Sequence, residues 1–264
     1  MNPIEQLARK QSRAPSPHDI SQEQVKIFPT LNEDEKAGVL LFETLSYHFS
    51  SGVIEILARH IPHVDFETKL YIAKEITEET GHFTRCASTC KALGITPLDF
   101  YPDIRRIYGQ SPNWLRYMAG CAFTLEQTAV HVFGKFLPRG SRYFQPVKPF
   151  VAEDVDHFSH SLLQMRQAIN VDNNEASRNR VVIVEAIRES LHNYAAPFFE
   201  HLTRVITLGT NVSRKEVEAE WRVALRGLRD SCAKLGLEIE VREYPWTVHE
   251  TTDPMGTNSK EMKK

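Results

Sequence analysis

Glu126 stands in the middle of a helical stripe that is otherwise apolar. Helical residues advance by about 100° each, so Leu115, Ala119, Ala122, Phe123, Val130, Phe133 and Leu137 share one face with it. The same pattern recurs upstream. Glu79 lies at the centre of a stripe of Ile72, Ile76, Phe83, Cys86 and Cys90, with His82 one turn along at its edge. Glu43 neighbours Val39, Val53 and Leu57, with the small Ser46 and Ser50 above it. Further on, Val151, Val155, Phe158, Leu162, Met165 and Ile169 define a core face that Asp154 and His157 flank beside Phe150, with Glu153 and His160 expected to face solvent. A lone buried carboxylate costs several kcal/mol unless it is paired or bound to metal. Four on consecutive helices, two of them followed three residues later by histidine, form a constellation. The i, i+3 spacing lets carboxylate and imidazole reach one ion. Such a donor set suits iron, manganese or zinc.

The segments that carry these residues are long, with helical period and little strand signal. Asn32 with Glu35 resembles a capping box and opens a helix over about 33–61. Asp65 caps a second over about 66–94, stopped by Gly94 and Pro97. Ser111 and Pro112 start a third, which runs to about 137 and is broken at Pro138, Arg139 and Gly140. Pro149 fits the first turn of a fourth, about 149–170. A fifth spans about 176–208, kinked at Pro197, and a sixth about 213–235. The stretch 237–245 reads as a short extended piece. The expected organisation is a mobile arm over 1–31, a single helical domain over 32–248 and a disordered tail over 249–264.

Equal height in an antiparallel hairpin means equal distance from the turn. Glu43 and Glu79 have their midpoint beside Ile61, Pro62 and His63, where the helix breaks. Glu126 and Asp154 have theirs at Gly140, in the second break. Two hairpins can therefore converge on one centre. An internal echo agrees. FETLSYHF (42–49) parallels LEQTAVHVF (125–133), and ETGHF (79–83) parallels DVDHF (154–158).

These positions resemble the ferritin-like diiron-carboxylate superfamily, whose pattern is Glu, Glu-x-x-His, Glu, Glu-x-x-His on four bundle helices. Here they are Glu43, Glu79-x-x-His82, Glu126 and Asp154-x-x-His157, within about residues 37–165. The resemblance implies an all-α, ferritin-like four-helix bundle with additional C-terminal helices, and a metal site of Glu43, Glu79, His82, Glu126, Asp154 and His157. It implies two iron ions, with an iron–manganese pair as the variant, O2 as co-substrate and an external reductant. The implied activity is that of a non-haem oxygenase or oxidase acting on a small organic substrate, by hydroxylation, N-oxygenation, desaturation or oxidative cleavage. Phe42, Phe83, Phe123, Phe133 and Phe158 are candidates to wall its pocket. The alternative is an iron-binding or ferroxidase protein without an organic substrate. A third reading is a metal-free interaction bundle, which needs Arg or Lys partners that the stripes around Glu79 and Glu126 do not offer.

Two departures stand out. Asp154 is one methylene shorter than glutamate and suits terminal rather than bridging ligation. Glu75, one turn before Glu79, is read first as a rim carboxylate paired with Arg or Lys, with an added ligand as the alternative. A register of Glu153, His157 and His160 competes with Asp154 and His157. Glu185, Glu189 and His192 lie beside the core of the fifth helix and are left out, because pairing Glu126 with Glu189 would place the turn inside the fourth helix. Ribonucleotide reductases place a tyrosine four residues after the first motif histidine. That position here is Cys86, which resembles multicomponent monooxygenases instead.

The remaining composition narrows the field. Net charge is −2 with no block of like charge, which argues against nucleic-acid binding. No run approaches the roughly 20 apolar residues of a membrane span, and residues 1–20 lack a signal-like apolar run, so a cytoplasmic protein is expected. Cys86, Cys90, Cys121 and Cys232 form no C-x-x-C pair and read as small core residues. An electron-donor protein and a homodimer are compatible with the resemblance.

Overall fold

The computed structural model describes residues 32–43, 51–93, 113–140 and 142–241. The expected arm (1–31), the tail (249–264), the Gly94–Pro97 stop and the Ser111–Pro112 start lie outside them, as do the side chains of Glu43, Phe42 and Cys90. The chain forms an all-α bundle, and the described residues contain no strand.

Helix α1 (Glu33–Glu43) opens with the expected reciprocal cap. Glu35 N donates to Asn32 Oδ1 at 2.9 Å and Asn32 N to Glu35 Oε2 at 3.0 Å. Helix α2 (Ser51–His60) passes through a 3-10 turn, Ile61–His63, at the predicted hairpin. Asp65 then accepts from Thr68 N at 2.8 Å and starts α3 (Phe66–Leu93). Asn113 caps α4 (Trp114–Tyr117). The chain next winds as a π-helix, Met118–Glu126, every residue of which is buried, before α5 (Gln127–Phe136) resumes the α-helix. The second hairpin is built by the 3-10 turns Leu137–Arg139 and Arg142–Val147. Helix α6 (Lys148–Ile169) carries Pro149 in its first turn, where a missing N–H costs nothing.

The expected fifth helix is two. Helix α7 (Asn173–Ser190) ends in a π-turn, Leu191–Ala195, from which α8 (Ala196–Gly209) starts with proline in its first turn. The wider winding ahead of Pro197 is the form that the expected kink takes. Helix α9 (Arg214–Lys234) begins at a Ser213–Glu216 capping box. It closes at Gly236 (φ 65°), where Leu237 N donates to Cys232 O at 3.0 Å. Of the extended piece expected after it, the described part, 237–241, forms no strand, and Leu237 is buried against the core.

The helices beyond α6 cover the bundle. Helix α8 packs on α1, and α9 on α5. Trp221 stacks on Phe199 at 4.0 Å and donates its indole N–H to Thr203 Oγ1 at 2.8 Å. Glu220, nearly buried, holds His131 at 2.8 Å and the Lys135 ammonium. Phe144 fills the space between Gly140 and Gly209, and a Cβ on either glycine would collide with its ring. No helix among the described residues is long and apolar enough to cross a membrane.

Candidate metal centre

Two groups of buried carboxylates and histidines meet inside the bundle. Glu79 and His82 from α3 meet Asp154 from α6. Glu75 from α3 meets Glu126 from the π-helix and His157 from α6. Within each group, one donor atom per residue lies within 4.8 Å of the others. Five of the six residues singled out in the sequence therefore converge. Glu43 is the last residue of α1, and its side chain lies outside the described residues.

The faces differ from expectation in two places. On α6 the buried positions are Phe150, His157, Ser161, Met165 and Ile169, while Val155 is 50% exposed. His157 thus belongs to the inward face rather than its flank, whereas Asp154 is partly buried, at the expected flank. On α7, where the helical angle puts Val181 in one apolar stripe with Val184, Leu191, Ala195, Phe198 and Leu202, Val181 is exposed and Ile183, Ala186 and Ile187 are buried. In both cases a β-branched valine simulated a core position that the helix turns to solvent.

Glu75 is not a rim carboxylate. It is fully buried, and Tyr117 donates its hydroxyl proton to Glu75 Oε1 at 2.9 Å. Among the described residues, neither Glu75, Glu126 nor Asp154 forms an ion pair with lysine or arginine; their charged contacts are with histidine. Glu75 Oε2, Glu126 Oε2 and His157 Nδ1 are buried without a hydrogen-bond partner. Buried polar atoms are normally satisfied. Three orphaned donor atoms converging from three elements are what a bound cation would satisfy, so the donor set fits a metal ion.

Glu153 and His160 also differ from the sequence reading, which turned both to solvent. Glu153 is half-buried and its Oε2 lies 2.5 Å from His82 Nε2. The mirror contact joins His157 Nε2 and Glu78 Oε2 at 3.1 Å. The offset that carries His82 onto His157 also carries Glu78 onto Glu153, so the internal echo is a physical symmetry in which each motif supplies a carboxylate to the other's imidazole. His160 stacks on Tyr71 at 3.5 Å, and burial first, then His157 and Lys74, lowers its pKa. The competing register of Glu153, His157 and His160 is not assembled: Glu153 and His160 take these other contacts. Glu189 pairs with Arg116, and His192, exposed, donates to Arg188 O at 2.7 Å. Cys86, four residues after His82, is buried in the core.

The electrostatics follow from crowding. Burial would lower the His82 pKa, but Glu79, Asp154 and Glu153 outweigh it and raise it to about 9. Burial likewise opposes charge on His157, yet Glu126, Glu75 and Asp154 lift it to about 11. Burial, then Glu79 and Glu126, push Asp154 well above the ordinary carboxyl range. Glu75 is raised by burial and by Glu126 and Glu79. Without a cation the cluster therefore retains protons, and bound metal would replace them.

The fold and site define an all-helical bundle with a buried carboxylate–histidine cluster able to hold metal. Compared with models of protein families, the chain matches none, and no curated protein matches it.

Proposed function

We propose that this protein is a non-haem diiron oxygenase or oxidase that uses O2 to oxidise a small organic substrate. The observation that carries the reading is the pair of carboxylate–histidine groups inside the bundle, one of which, Glu75, Glu126 and His157, holds three buried donor atoms without a hydrogen-bond partner among the described residues. The proposed ligands are Glu79, His82, Asp154, Glu126 and His157, joined by Glu75 and by Glu43 from the end of α1. Two redox-active ions held there, iron or an iron–manganese pair, would supply the electrons for O2 reduction and be recharged by an external reductant or donor protein.

The chain's own residues would do the rest. Glu153 and Glu78 accept from the imidazole Nε2 atoms of His82 and His157, which aims each Nδ1 at the centre. Tyr117 fixes Glu75 by one oxygen and leaves the other directed inward. Beside the site is a cavity of about 60 Å³ that Glu126 and Asp154 border. Its other walls are aliphatic or aromatic, among them Leu41, Ala129, Phe133, Phe150 and Phe198. Of the phenylalanines considered from the sequence, Phe133 lines it; Phe123 and Phe158 instead stack on each other at 5.6 Å. Such a pocket favours a compact, uncharged apolar group and keeps water from the reacting atoms.

The test is aerobic turnover of iron-loaded protein with a reductant against a panel of small apolar compounds. Oxygen incorporated into or hydrogen removed from a compound supports the reading. Oxygen uptake without any organic product across the panel would point to ferroxidase chemistry instead.

A further inference from the structure

The centre is flanked by an aromatic ladder. Tyr117 is buried and donates to Glu75 Oε1 at 2.9 Å. Its ring stacks on Trp114 at 5.3 Å with an interplanar angle of 26°. Trp114 is only partly buried, so the ladder leads from the cluster towards the surface. His60 packs against both rings, at 5.5 and 5.8 Å, and Tyr71 packs edge-on to Trp114 at 6.2 Å. Tyrosine and tryptophan are the side chains most readily oxidised by one electron without bond cleavage. A phenol gives up that electron readily only if its proton has an acceptor, and here the acceptor is in hydrogen-bond contact.

We propose that Tyr117 and Trp114 form a one-electron relay that drains oxidising equivalents from the centre when no substrate is bound. The inference rests on the proposed O2 chemistry. The oxidant would be supplied by metal ions held by Glu75, Glu126, His157, Glu79, His82 and Asp154 once O2 has reacted there. Tyr117 loses one electron to it and its hydroxyl proton to Glu75 Oε1, becoming a neutral phenoxyl radical, and the centre is reduced by one electron. Trp114 can then return an electron to Tyr117, which takes back its proton, so the oxidising equivalent moves outward to the indole. Cys86 occupies the position where ribonucleotide reductases keep their tyrosine. The phenol at this centre comes from a different helix and meets a carboxylate.

The experiment is freeze-quench EPR after reduced, iron-loaded protein is mixed with O2 without substrate, with bound iron and O2 uptake measured on the same samples. The expected result is an organic radical whose hyperfine pattern changes when tyrosine is ring-deuterated, and its loss in Tyr117→Phe. In Trp114→Phe, which leaves the Glu75 contact intact, the tyrosyl signal should decay more slowly. Iron uptake and O2 consumption without a radical, or an unchanged radical in Tyr117→Phe, overturn the relay alone. No iron uptake, or none of the O2 consumption, overturns the relay together with the function it rests on.

Discussion

His82 and Glu153 face each other across α3 and α6 with Nε2 and Oε2 2.5 Å apart, and the symmetric partners His157 and Glu78 repeat the contact at 3.1 Å. Each imidazole is thereby held by the helix opposite its own. Oriented ligands bind metal more tightly because less freedom is lost on binding. Glu153→Gln and Glu78→Gln should each weaken metal affinity by about 10- to 100-fold while leaving the helical signal unchanged. Competition titration against a chelator of known affinity measures this. Unaltered affinity in both variants would remove these carboxylates from the design of the site.

The metal-free protein should lose stability as pH rises. His82 and His157 have folded pKa values raised to about 9 and about 11 from 6.5. Their stabilisation is complete below 6.5 and is lost as pH climbs through the folded values. Glu75 and Asp154, also raised, act with the same sign from a lower pH. Wherever the folded state binds more protons, each one costs about 1.4 kcal/mol per pH unit of increase. Thermal midpoints of metal-free protein should fall between pH 6.5 and about 9, whereas metal affinity should rise over the same interval as protons leave the ligands. A midpoint that rises with pH would show that the cluster does not retain protons as described.

Filling the apolar cavity should separate substrate from metal. Ala129 lines it, and Ala129→Leu places extra methyl groups in its volume. Iron content should be retained. Oxidation of a bound substrate should fall by about tenfold or more, the scale of a pocket that rejects a group for its size. Equal turnover in the variant would put the substrate elsewhere.

Gly209 tests the fold away from the chemistry. A Cβ there would overlap the Phe144 ring and stand 3.0 Å from Ala37 Cβ. Gly209→Ala should destabilise the protein by about 1–3 kcal/mol, the usual range for overpacking, read as a lower denaturation midpoint. An unchanged midpoint would mean that Phe144 can move aside freely.

The sequence makes the frame legible where local chemistry is decisive. Asn32 with Glu35, and Asp65, set helix starts by hydrogen bonds that are purely local, and the hairpin turns fall where proline and glycine interrupt the period. Glu79, Glu126 and His82 are visible because a carboxylate on a greasy stripe has few explanations. What is less visible depends on winding and reach. The π-helix over Met118–Glu126 does not advance by the α-helical angle, so no stripe assigned from that angle brings Tyr117 beside Glu75. Glu153 falls on the solvent side by the helical angle, yet its side chain is long enough to reach His82. Glu75 looks like a rim residue until the elements packed over it are in place, since its burial is a tertiary property. Val155 shifts the apparent face of α6 because hydrophobicity alone cannot tell a half-covered edge from a core.

Metal content of anaerobically reconstituted protein, wild type against Glu126→Ala, tests the central claim most directly. About two irons per chain in the wild type, lost in the variant while its helical content is retained, is the predicted result. No bound iron in either protein, or the same iron in both, would contradict it and leave the buried carboxylates of α3, the π-helix and α6 without a metal to bind.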